Sequence, residues 1–118
     1  MTEIDSIREL TGEIRDFAVE RDWEKFHDPK SLILALVGEV GELAELFQWI
    51  PADGALEEFG KPERKRRAAE ELSDVLIYLL RLSDVLGIDI ASAAPAKLSD
   101  SRSRFPASRF EGSAPEKA

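Results

Sequence analysis

The sequence predicts an all-α protein, on three observations. Apolar residues recur at helical spacing through most of the chain. Pro, Gly and Asp stand where helices would start and stop. No segment alternates apolar and polar residues with the period of two that a half-buried strand needs. Ile4, Ile7, Leu10, Ile14, Phe17 and Ala18 mark a first helix over roughly residues 3–22, and residues 23–27 form a connection. Asp28 is placed to cap the second helix, with Pro29 at its first position, where a missing N–H costs nothing. That helix runs to about Trp49. A polar loop with Pro51, Asp53, Gly54 and Gly60 follows. Pro62 opens a third helix that ends near Leu86, with Gly87 as its cap, and Asp89 starts a weaker fourth through about Ser101. From Ala107 onward Ser, Pro and Gly dominate. The chain is therefore expected to hold one domain over residues 1–106 and a disordered tail over 107–118.

Composition excludes several classes of function. The net charge of −8 argues against a nucleic-acid or anionic-membrane surface. No apolar run exceeds six residues, too short for a membrane span. The acidic N-terminus lacks the apolar stretch of a signal peptide. With no cysteine there is no disulfide, thiolate metal site or Cys nucleophile, and the expected compartment is the cytoplasm.

Two acid pairs carry the chemistry. Glu39-x-x-Glu42 interrupts the apolar second helix, and Glu71-x-x-Asp74 precedes the apolar run of residues 75–80 in the third. A spacing of three puts both carboxylates of a pair on one helix face. Ionised carboxylates against a core cost several kcal/mol each without a partner, and four acids without matching bases ask for a cation. All-oxygen ligands suit Mg²⁺ or Mn²⁺, and Mg²⁺ commonly brings substrate phosphates with it. With 24 acidic residues in 118, acid-x-x-acid arises by chance roughly five times, so the pattern alone leaves a solvated acidic face open as the other reading.

Helical geometry refines the site. Glu71, Asp74 and Tyr78 share one face of the third helix with Arg67 and Arg81, while Glu39, Glu42, Glu45 and Trp49 share one side of the second. Antiparallel packing of these helices would bring the acids together with Trp49 and Tyr78 at the margin, suiting a nucleoside triphosphate whose base stacks on an aromatic. The second helix is apolar around most of its circumference and carries Gly38 and Gly41, which predicts close approach of another helix or a ligand, and a homo-oligomer.

The blocks at residues 36–49 and 70–78, with residues 20–27 and the Arg104-Phe105-Pro106 run, resemble the MazG superfamily of all-α nucleoside triphosphate pyrophosphohydrolases, near its dCTP pyrophosphatase branch. The resemblance implies a four-helix MazG-like bundle assembled as a dimer or, preferentially, a tetramer. It implies Mg²⁺-dependent hydrolysis of nucleoside triphosphates to monophosphate and pyrophosphate, with dCTP or a modified dCTP favoured. It maps metal ligands onto Glu39, Glu42, Glu71 and Asp74. For water attack on phosphorus a nearby carboxylate can take the proton, with Glu39 and Glu45 as the candidates. Trp23, Trp49 and Tyr78 become base-side aromatics and Lys97 a phosphate contact, and the family-like blocks also bring in His27 and Arg104. Three positions depart from the family pattern: Ser101 where Asn is common, Ile14 where relatives of the dCTP type carry His, and Pro95 just before Lys97. The alternative function is a non-catalytic helical oligomer with an acidic face. A di-iron site is disfavoured because neither pair contains the Glu-x-x-His of such bundles.

Overall fold

The computed structural model describes residues 6–115. Among these residues six α-helices follow in order: α1 (Ile7–Glu20), α2 (Pro29–Glu45), α3 (Ala55–Glu58), α4 (Pro62–Val85), α5 (Ile90–Arg104) and α6 (Ala107–Phe110). There is no strand among the described residues. The four long helices are the four expected from periodicity. Residues 3–5 of the expected first helix lie outside the described residues.

Local chemistry sets most boundaries. The Ser6 hydroxyl accepts from the Glu9 N–H at 3.0 Å to start α1, and Asp28 accepts from the Ser31 N–H at 2.9 Å to start α2 ahead of Pro29. Gly87 ends α4 in the left-handed region at φ 72°, with its N–H on Asp84 O and that of Ile88 on Ser83 O. The same closure ends α1: Asp22 N–H reaches Val19 O at 3.1 Å and Trp23 N–H reaches Ala18 O at 2.9 Å. Here the left-handed position is Asp22, at φ 55°. The apolar contact that accompanies this motif is Trp23 edge-on to Phe17, ring centres 5.6 Å apart. A strained Asp22 thus aims Trp23. Asp22→Gly should raise stability by about 0.5 kcal/mol, the left-handed strain relieved less the added freedom of the unfolded chain. An unchanged or lower melting temperature would mean that the exposed Asp22–Lys25 pair outweighs the strain.

Four features differ from expectation. The second helix stops at Glu45 rather than Trp49. Residues 46–50 close in tighter turns, Phe47 N–H on Ala44 O and Ile50 N–H on Phe47 O. Pro51 disfavours helical backbone at Ile50, and Phe47 stacks on Phe59 with centres 4.2 Å apart. The loop after it contains α3. The fourth helix passes through Pro95 and continues to Arg104, where Arg102 and Arg104 in its last turn suit the negative end of the helix. In the segment expected to be a disordered tail, α6 forms and Phe110 packs edge-on against Phe105 at 5.3 Å; residues 116–118 lie outside the described residues.

Packing divides the molecule into a closed end and an open one. α2 and α4 are the principal pair, and α1 covers the C-terminal half of α4. Among the described residues the buried apolar side chains are Ala18, Leu32 and Leu80, from the end of α1, the start of α2 and the end of α4. The other end of the α2–α4 pair, with the C-terminus of α2 beside the N-terminus of α4, stays open. Much apolar surface is uncovered: Leu34 and Val37 on α2 are each 61% exposed and Leu72 on α4 is 56% exposed. The accessible area is 9242 Å², against about 6,400 Å² for a monomer of this mass. No atom outside the helix lies within 4 Å of where a Cβ would stand at Gly38 or Gly41, so within the chain no neighbouring helix takes up the close approach those glycines suggested.

Candidate active site

The acid pairs meet between α2 and α4, toward the C-terminal end of α2. One oxygen from each of Glu39, Glu42 and Glu71 lies within 4.8 Å of the others. The pairing is antiparallel: the charge of Asp74 bears on Glu39 and that of Glu42 on Glu71. Asp74 stands outside the close group, on its edge. Glu39 and Glu71 are half-buried, and each has one oxygen, Oε2, shut off from solvent without a hydrogen-bond partner. Their carboxyls are held above the ordinary glutamate range. For Glu39 the causes are burial, then the hydrogen bond and charge of Glu42; for Glu71 they are burial, then the charges of Glu42 and Asp74.

Orphaned buried oxygens are rare in folded proteins because each costs its full desolvation. Two of them converging among four carboxylates fit a hard divalent cation. The residues present therefore fit the metal that the sequence suggested, with Glu39, Glu42 and Glu71 as the close ligands and Asp74 beside them.

Toward the open end the acids border a cleft of about 490 Å³ lined by Glu42, Glu45, Leu46, Gln48, Arg64, Arg67 and Glu71. Glu45, a candidate base, is therefore next to the acid cluster. Tyr78 lies one turn beyond Asp74 on α4, half-buried. Trp49 follows the end of α2 and is 86% exposed. Trp23 is held on Phe17 at the end of α1. Lys97 and Arg104 both pair with Asp100 along α5, at 3.7 and 3.2 Å, and neither lines this cleft. A single chain thus assembles the acids, with Tyr78 one turn away, while no aromatic and no α5 cation lines the cleft beside them.

His27 has a partner that the sequence did not disclose. Arg81, its side chain only 7% exposed, donates from Nε to His27 Nδ1 at 3.0 Å and from Nη1 to Asp84 at 3.1 Å. Asp84 in turn accepts two hydrogen bonds from Arg15, at 2.8 and 2.6 Å, and its carboxyl is held low mainly by that arginine. This chain ties the turn after α1 to α4. Because a guanidinium only donates, His27 must carry its proton on Nε2. Burial and the Arg81 charge push its pKa below the usual 6.5. Nitrogen NMR of this sole histidine should show the neutral Nε2–H form at pH 7 and titration below 6.5, with both tautomers appearing in Arg81→Met. A Nδ1–H signal in the unaltered protein would refute the contact. The available sequence signal was Arg81 sharing a face with Glu71, Asp74 and Tyr78 in an otherwise apolar turn.

Comparison with known proteins places this geometry in context. A family model described as the MazG nucleotide pyrophosphohydrolase domain matches residues 27–107. The chain is 47% identical over 111 residues to dCTP pyrophosphatase 1 of Bos taurus, covering 94% of this chain and 64% of that protein. It is 52% identical over 105 residues to dCTP pyrophosphatase 1 of Homo sapiens, covering 88% of this chain and 59% of the human protein. The chain therefore spans less than two thirds of the length of these relatives. Its fold matches the crystal structure of a pyrophosphatase from Archaeoglobus fulgidus with a TM-score of 0.77 and 36% identity, over 90% of this chain and 97% of that one.

Proposed function

We propose, from the premise that the chain belongs to the MazG nucleotide pyrophosphohydrolase family, that it hydrolyses nucleoside triphosphates to the monophosphate and pyrophosphate with Mg²⁺, favouring dCTP or a modified dCTP. The observation that carries the chemistry is the group of Glu39, Glu42 and Glu71 with two buried oxygens lacking partners. The dCTP preference is supported by the name shared by the bovine and human relatives.

Glu39, Glu42, Glu71 and Asp74 would hold the cation, which when bound offsets the mutual repulsion of the triphosphate and polarises its P–O bonds. The protein residues supply the rest. Water attacks the α-phosphorus as the bond to the β-phosphate oxygen breaks, and a carboxylate takes the proton. Glu45 suits that role better than Glu39, because it lines the cleft beside the acids while Glu39 does not and would be held as a metal ligand. Trp23, Trp49 and Tyr78 are proposed to stack on the base, with His27 as a neutral donor beside them, and Lys97 and Arg104 to reach phosphate. A panel of dCTP, dUTP, dTTP and dATP in ¹⁸O-water, with pyrophosphate detection, tests the whole reading. Label in the monophosphate and cytosine preferred by tenfold or less, about 1.4 kcal/mol, is the expected result. Label in pyrophosphate, or a purine ranked first, would overturn the mechanism or the pocket respectively.

We further propose a homo-oligomer, tetramer over dimer. The accessible area in excess of a monomer's and the uncovered apolar faces of α2 and α4 support it. Assembly would also cover Trp49 and bring the α5 cations of one copy within reach of another's acids. Sedimentation at micromolar concentration should show no stable monomer.

A further inference from the structure

Arg67 is the cleft's unspoken-for cation. Arg64, the other guanidinium lining it, is engaged by Glu58 at 3.4 Å and lies over the Phe59 ring at 6.0 Å. Its neighbours Lys61 and Arg66 are likewise paired, Lys61 with Glu58 and Arg66 with Glu63 and Glu70. Arg67 makes no ion pair or side-chain hydrogen bond among the described residues. Yet it sits one turn before Glu71 on the same face and lines the cleft with Glu42, Glu45 and Glu71, near enough for its charge to oppose the upward push on Glu71. An arginine preceding a glutamate by four residues is the less favourable order for a helix ion pair, and the Glu71 oxygens turn into the acid cluster. The guanidinium is thus left facing the space just outside the acids.

That space needs a cation during the reaction. As the bond between the α-phosphorus and its bridging oxygen breaks, the electron pair stays on that oxygen and the departing pyrophosphate gains charge. Carboxylates around a divalent ion would offset part of its charge, so a further positive group facing the departing phosphates adds to what the ion supplies. We propose that Arg67 is a catalytic residue that binds the two distal phosphates and neutralises the charge that develops on the departing pyrophosphate. This rests on the pyrophosphohydrolase reading above.

Two measurements test it. Inorganic pyrophosphate and dCMP are each titrated calorimetrically, with Mg²⁺, into the unaltered protein, Arg67→Ala and Arg67→Lys. Pyrophosphate should bind at least about tenfold more weakly to Arg67→Ala, with Lys intermediate, while dCMP binding stays the same. Equal pyrophosphate affinity in all three overturns the proposal, whether or not the protein turns over nucleotides. Turnover is then compared on dCTP and its β,γ-CH₂, CHF and CF₂ analogues, whose leaving groups grow more acidic in that order. Arg67→Ala should lose about a hundredfold in kcat on the CH₂ analogue and progressively less toward CF₂, since a better leaving group needs less help. The same loss on every analogue would mean that Arg67 only supports the fold, and also overturns the proposal. Failure of the unaltered protein to release pyrophosphate from any nucleotide would instead remove the functional reading beneath it. Arg67 is exposed and unpaired, so both variants should fold.

Discussion

Glu71→Gln is expected to lower turnover at least about a thousandfold, some 4 kcal/mol of lost transition-state stabilisation, in a protein that folds as well as before or better. Both halves follow from one arrangement. Glu71 contributes an oxygen to the group that would hold the cation, and its Oε2 is buried without a partner. Removing its charge deletes a ligand and also relieves the repulsion from Glu42 and Asp74 that raises its pKa. Structural acids lose stability when neutralised, whereas site acids held together against their repulsion gain it. Turnover and the thermal midpoint should therefore move in opposite directions. A variant with full activity and unaltered Mg²⁺ dependence would sink the metal assignment.

Withdrawal of divalent metal should have an effect of similar size, with a distinctive pH signature. EDTA should end pyrophosphate release, and added Mg²⁺ should restore it. In the metal-free protein the folded pKa values of Glu39 and Glu71 lie above their unfolded value of 4.5, so their ionised forms are disfavoured by folding. Their contribution is then most favourable at low pH and declines as pH rises from about that value through the folded ones. Asp28, Glu58, Glu63, Asp84 and Asp89 have lowered values and act in the opposite sense, losing stability only as pH falls through the carboxylate range below their ordinary values. The metal-free protein should accordingly melt highest at mildly acidic pH and lower at pH 7.5. Mg²⁺ at a hundredfold above its Kd should add about 2.7 kcal/mol, and more of that gain should appear at pH 7.5 than at pH 5. A metal effect on melting that is the same at both pH values would show that the cation binds elsewhere.

What the sequence disclosed and what it hid divide along the range of the interactions. Helix starts were legible because Asp28 with Pro29, and Pro62, act within one turn. The end of α4 was legible because Gly87 needs no distant partner to adopt a positive φ. The end of α2 was not, since it depends on Phe47 meeting Phe59 across a twelve-residue gap. The acid group was legible because i, i+3 spacing on two helices survives any reasonable packing of the pair. The His27–Arg81–Asp84–Arg15 chain spans three elements, and no local pattern encodes which arginine meets the histidine. Arg67 was visible on the correct face, but the basic run around it reads as an ordinary solvated helix start until Arg64, the other arginine lining the cleft, is seen to be paired and Arg67 is not.

The sparse core has a kinetic consequence. Only Ala18, Leu32 and Leu80 are buried apolar residues among those described, so a chain that has reached its own tertiary contacts has still left much of its hydrophobic driving force unspent. On the assembly proposed above, the last burial is an encounter between chains. Refolding from denaturant should then end in a phase whose rate rises with protein concentration, and recovery of activity should lag behind recovery of helix by that phase. Dilution during refolding would lengthen the life of a helical intermediate with α2 and α4 bare, the species most exposed to aggregation.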